Sequence, residues 1–204
     1  MINVVGHLAF FETWWYDGYR FWKKVVRQMN PVEEYNDIYD ENRCLTGRTR
    51  RRGDPWQPGE YGLVVCVWVY DGNGHFLLTR RAKGKSFAGT WENSGGAAKT
   101  GETSRQAIVR ELFEETGIRA EESEFELLET YRDRNIFFDH YCLKRSVHLR
   151  DVKLLEGETD DVMWASFGKI HWMIHSGKIS GVIGRQFIRL ERELRLRNLN
   201  KFRR

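Results

Sequence analysis

The chain has 204 residues, with 33 Lys and Arg against 29 Asp and Glu and a formal net charge of +4. That length suits one domain with short appendages and can bury a single sizeable core. Apolar residues at 41% and charged residues at 30% exclude a disordered or collagen-like chain. The longest apolar run, Leu63 to Tyr70, is too short to span a bilayer, which takes about 20 residues. Met1 to Phe11 is fairly apolar, but no Lys or Arg precedes it, so no signal peptide is expected. Cys44, Cys66 and Cys142 are odd in number and widely spaced, with no CxxC pair. They read as reduced thiols of a cytoplasmic protein, not as a disulfide framework or a zinc site.

In chain order, residues 1–29 form an aromatic extension. Trp15, Tyr19, Trp22 and Val26 share a helical face, with Lys23, Lys24 and Arg27 close by. An amphipathic helix packed on the domain is expected there, in preference to a membrane-surface helix. Met29 is also a plausible alternative start. Residues 30–60 read as a polar, turn-rich leader packed on the domain, with a basic cluster at Arg48, Arg50, Arg51 and Arg52. Gly62 to Tyr70 is a β-branched strand, Asp71 to Gly74 a hairpin turn, and His75 to Arg80 the returning strand. Ala82 to Thr90 is a loop, and Trp91 to Ala98 is short and Gly-rich. Thr103 or Ser104 can cap a helix running to about Glu115, stopped by Gly117. Strands are expected over Phe125 to Arg132, Ile136 to Val147 and Val162 to Ala165, with a helix beginning at Ile170. Interleaved strands and helices predict an α+β fold with a mixed β-sheet and helices on its faces.

Residues 181–204 form a basic C-terminal helix. Arg185 to Arg204 holds eight basic and two acidic residues. Ile183, Phe187, Leu190 and Leu194 recur at spacings of four, three and four, which buries one stripe and leaves an arginine-rich outer face. That face reads as solvated surface rather than a nucleic-acid patch. The stripe can dock on the domain or on a second subunit, so a homodimer is the one macromolecular assembly it admits.

Three glutamates, Glu111, Glu114 and Glu115, fall at i, i+3 and i+4 of the helix expected after Thr103. Such spacing puts three like charges on one face, where they repel unless a cation joins them. Oxygen-only donors favour a hard divalent ion, Mg²⁺ or Mn²⁺. Taken alone, the glutamates would still read as a solvated acidic helix end.

The full spacing is more specific. Gly96, Glu102, Arg110, Glu111, Leu112, Glu114, Glu115, Gly117 and Ile118 match the Nudix box without departure. A chance match in a chain this long is on the order of 10⁻⁷. The sequence therefore resembles the Nudix hydrolase superfamily over roughly Gly62 to Lys178. The resemblance implies an α/β/α sandwich over residues 61–180 that hydrolyses a diphosphate linkage, typically in a nucleoside diphosphate derivative or a related organic diphosphate. It implies Glu111 and Glu115 as principal metal ligands, Glu114 as a further ligand or base, and Arg110 as the group that orients a carboxylate. Glu102 and the Gly96 carbonyl would complete the metal loop. Glu158, ahead of Trp164, resembles the late glutamate that some members use as a base or ligand. A small-molecule substrate is the expected partner, with no membrane.

Glu34 to Asp40 followed by Thr46-Gly47-Arg48 resembles the leader of bacterial Nudix proteins related to isopentenyl-diphosphate isomerase. That raises isomerisation as a competing function. Gly96 and Ala98, however, stand where the isomerases carry a cysteine and a histidine, and neither can exchange protons with carbon. A second alternative is a catalytically idle nucleotide-binding module, against which the intact box counts. Arg80, Arg81 and Lys83 precede the box and are candidates for holding phosphates, against solvated surface as the other reading; Trp91 is a candidate for stacking on a base, although core packing is the commoner role for a tryptophan next to a strand. No substrate tag of a known subfamily is complete.

Overall fold

The computed structural model describes residues 33–198. The expectations placed on residues 1–29, including the aromatic helix and the alternative start, lie outside the described residues. The leader is not merely turn-rich: it is an antiparallel pair, β1 (Tyr35–Tyr39) and β2 (Leu45–Arg51), with Asn36 opposite Arg50. The sequence hides this pair because β2 is almost wholly exposed and has no apolar alternation to detect.

A seven-stranded mixed sheet follows, built on β3 (Gly62–Tyr70). Its β-branched residues suit a strand covered on both faces. β3 runs parallel to β8 (Ile136–Lys144) from Gly62 opposite Ile136 to Tyr70 opposite Lys144. β4 (His75–Arg81) leaves β3 after one pair, Tyr70 with Phe76. The turn is held by Asp71, whose carboxylate accepts from Asn73 N and His75 N. β3 then takes β6 (Ser94–Ala97), while β4 takes β5 (Trp91–Glu92) and β9 (Thr159–Ser166). β7 (Glu126–Asp133) pairs with β8. β8 ends three residues before the expected Val147, and β9 starts three residues before the expected Val162.

Among the described residues, three helices flank the sheet. α1 (Ser104–Thr116) lays Ala107, Ile108 and Leu112 on Val65, Val67 and Val69 of β3. Its start is a capping box: Thr103 accepts from Gln106 N, and the Gln106 side chain accepts from Thr103 N. Gly117, at φ 70°, ends it in the left-handed conformation. α2 (Phe167–His175) begins at the Ser166 cap, earlier than the expected Ile170. α3 (Gly181–Asn198) sinks Phe187, Leu190 and Leu194 against Trp68, Phe76 and Ile170 on the opposite face. The stripe read from the sequence thus docks on its own domain. Helix α1 on one face and α2 with α3 on the other make the α/β/α sandwich. Among the described residues no helix is long and apolar enough to cross a membrane.

Candidate active site

β6, the loop after it and α1 bring the acidic residues together. Gly95 and Gly96 lie on β6 opposite Cys66 and Val65. A Cβ on Gly96 would fall inside the Glu111 carboxylate, so only glycine lets that carboxylate lie on the strand backbone. One turn on, Glu115 Oε2 accepts from Gly95 N at 3.3 Å. Glu111 and Glu115 therefore face the glycine strand, and Glu114 lies at the exposed rim.

Arg110 stands among three of the carboxylates. Its Nε and Nη2 donate to the two oxygens of Glu102 at 2.5 and 2.9 Å. Nη1 donates to Glu111 Oε1 at 2.8 Å and Glu114 Oε2 at 3.1 Å, and Nη2 also reaches the Ala97 carbonyl at 3.2 Å. Lys99 Nζ lies 3.6 Å from Glu114. The cation expected on this face is thus in part the protein's own arginine. Among the described residues, no three His, Cys, Asp or Glu side chains already converge as an ion's ligand shell.

Glu115 is different. No ion pair forms to it among the described residues, and burial, with Glu111 and Glu92 adding repulsion, holds its carboxyl well above the usual carboxylate range. Burial also raises Glu111, with Arg110 pulling the other way. At Glu102 burial is outweighed by the bonds from Arg110 and Lys99 N, and its carboxyl is lowered. A glycine cradle, a half-buried carboxyl without a cation and an all-oxygen donor set together fit a hard divalent ion.

The other candidates fall around this centre unevenly. Arg81 donates from Nη1 to both oxygens of Glu92 at 2.7 and 2.9 Å, and from Nε to Ser86 O at 2.6 Å. Glu92 is an acidic residue that the box spacing does not single out. Burial raises its carboxyl, Arg81 opposes, and Glu158 adds repulsion. Glu158 pairs with Lys85, and its carbonyl accepts from Ala82 N at 2.9 Å. Arg80 is half-buried and tied to Asp160 at 2.7 Å and Asp161 at 3.5 Å. Lys83 is exposed in the following loop. Trp91 requires a correction: it is 7% exposed and packs in the core under α3. Its neighbours there leave its ring no free face for a base. In the same loop Phe87 stands 67% exposed at φ 58°, and its carbonyl accepts from Thr90 N and Thr90 Oγ1 at 3.1 and 2.7 Å. Nothing in the sequence marked it.

Comparison with known proteins bears on the whole constellation. The NUDIX domain family matches residues 60–180. An uncharacterised Nudix hydrolase of Listeria monocytogenes is 34% identical over 149 residues, which is 72% of this chain and 88% of the relative. An 8-oxo-dGTP diphosphatase of Escherichia coli is 41% identical over 86 residues, 41% of this chain and 67% of the relative. The crystal structure of DR0079 from Deinococcus radiodurans shares the fold, with a TM-score of 0.64 at 20% identity, over 76% of this chain and 98% of that one. With the box residues gathered on β6 and α1 as described, the chain belongs to the Nudix hydrolase family.

Proposed function

We propose that this Nudix hydrolase cleaves a diphosphate linkage in a nucleoside diphosphate derivative or related organic diphosphate, with Mg²⁺ or Mn²⁺ as its cofactor. The observation that supports this reading most is Glu115, a half-buried carboxyl without a cationic partner beside Glu111 over the glycine strand. Glu111 and Glu115 would hold the ion, with Glu114, Glu102 and the Gly96 carbonyl as further donors. A divalent ion supplies positive charge against the anionic diphosphate and favours deprotonation of an attacking water. Arg110 fixes Glu102 and Glu111 in place by charge-assisted hydrogen bonds. Glu114 and Glu158 are the candidates for taking the proton of that water. Lys83, Arg80 and Arg81 border the same loop and would meet the phosphates, the two arginines once substrate competes with Asp160, Asp161 and Glu92. A cytoplasmic location agrees with three free cysteines.

The leader's likeness to isomerase-related proteins does not bring isomerase chemistry with it. Position 96 offers no thiol, and Cys66, beneath Gly95, is buried. Its thiol is pushed up to about 12 by burial first and then by Glu115. A neutral thiol of that kind is a poor nucleophile.

Phosphate release should be measured over nucleoside triphosphates, nucleotide sugars, dinucleotides and coenzyme A, with Mg²⁺ and with chelator. Glu111→Gln and Glu115→Gln should each lower kcat by about 10²-fold or more while keeping the fold. Turnover that survives chelation, or is indifferent to both substitutions, would overturn the reading. So would isomerisation of isopentenyl diphosphate by the wild type.

A further inference from the structure

The five residues between Gly96 and Glu102 connect the glycine strand to α1, and they are gripped from two sides. From the helix side Arg110 reaches Ala97 O and Glu102. From the other side the β1–β2 hairpin reaches the same stretch. Asn36 Nδ2 donates to Ala98 O at 2.7 Å, Thr100 N donates to Tyr35 O at 2.9 Å, and Gly101 N donates to Asp37 Oδ2 at 2.8 Å. The hairpin is itself locked to β8. Arg43, at φ 63° in its turn, donates from Nη1 and Nη2 to the two oxygens of Asp139 at 2.8 and 2.5 Å. The same Asp139 accepts from Ser104 Oγ, the first residue of α1, and from Thr130 Oγ1 at 2.7 Å. Asn36 and Asp139 are buried, at 7% and 2% exposed. Neither has an apolar reason to be there, so their partners are what keep them.

We propose that the β1–β2 hairpin is a positioning clamp for the metal loop, with Asn36 and Asp37 as positioning residues that act through the loop backbone and touch no substrate. This rests on the reading of Gly96, Glu102, Glu111 and Glu115 as a divalent-ion site. Three bonds set the backbone from Ala98 to Gly101, and that backbone sets how Gly96 and Glu102 face α1. Gly101 sits at φ 81° with no atom within 4 Å of where a Cβ would be. Packing of its own therefore does not hold that corner, and the Asp37 bond does. Groups that orient a metal's ligands without binding it typically change affinity or rate by 10–100-fold when removed.

The test compares full-length wild type with Asn36→Leu, Asp37→Ala and the conservative Asp37→Asn. Asp37→Asn keeps an oxygen to accept from Gly101 N, and Asn36→Leu keeps shape but loses the donor. Three quantities are read: hydrogen exchange at Thr100 and Gly101 in metal-free protein, Mn²⁺ affinity by electron paramagnetic resonance, and kcat. Asn36→Leu and Asp37→Ala should speed exchange in the loop, weaken Mn²⁺ binding by about tenfold and lower kcat by a similar factor. Asp37→Asn should stay near wild type on all three. Unchanged Mn²⁺ affinity and kcat in both disruptive variants would overturn the clamp, as would an Asp37→Asn variant as impaired as Asp37→Ala. A wild type that neither binds Mn²⁺ nor hydrolyses any diphosphate would instead remove the metal-site reading. The exchange rates at Thr100 and Gly101 would then still show whether the hairpin holds the loop.

Discussion

Glu115 is in tension with the fold that carries it. Its carboxyl is half-buried, faces Glu111 and Glu92, and is held well above the usual carboxylate range. At neutral pH an acid raised in the folded state favours unfolding, because the unfolded chain ionises it freely. Glu115→Gln should therefore raise the melting temperature of metal-free protein while lowering kcat, and thermal unfolding in chelator with a paired rate assay checks both. Added Mg²⁺ should raise the melting temperature of wild type and do little for the variant. A Glu115→Gln protein less stable than wild type in chelator would show that the bonds from Ser94 and Gly95 N favour the charged carboxylate by more than the burial and repulsion disfavour it.

At the scale of elements, α1 carries the box, and its two ends fix the register of the glutamates. Thr103→Ala removes the cap and should cost about 1 kcal/mol. Gly117→Ala asks an L residue to adopt φ 70°, with its Cβ 3.0 Å from Lys153 Cβ, and should cost about 1–2 kcal/mol. Both appear as a lower denaturant midpoint at unchanged slope. The cap, the stop and the one-faced glutamates of α1 were legible in the sequence, because each is set by near neighbours. The leader hairpin was not. Asn36, Asp37 and Arg43 look like ordinary polar loop residues until their partners at positions 98, 101 and 139 are known.

On the scale of the whole molecule, the face of the sheet under α3 buries a second kind of group. His140 is 0% exposed, stacks with Tyr131 at 5.5 Å and 10°, and has no hydrogen-bond partner on either ring nitrogen. Burial, helped by the charge of Arg189, lowers its pKa from 6.5 to about 4. Between those values the unfolded chain takes up a proton that the native protein refuses. Stability is therefore lost as pH falls through that window, by about 3 kcal/mol in all. Denaturant melts of wild type and His140→Phe from pH 7 to pH 4 should diverge by that amount, with the variant flatter. Parallel curves would mean that His140 finds a partner when charged.

The sequence by itself determined the family-level chemistry and most of the architecture. The Nudix box is a local string, and strands such as Gly62–Tyr70 declare themselves by β-branched runs. The stripe Phe187, Leu190 and Leu194 showed that α3 has a buried face but left open what it packs on. Tertiary structure placed it on Trp68 and Phe76, because a periodic stripe specifies that it must be covered and not by what. It decided between substrate and core for Trp91, since a tryptophan beside a strand is drawn to whichever apolar volume the distant α3 provides. It also set Glu92 against Arg81 and joined the leader to the loop between Gly96 and Glu102. The leader's partners lie more than 60 residues away in the chain, and even the nearer Arg81–Glu92 pair forms only once the sheet has brought β4 and β5 together.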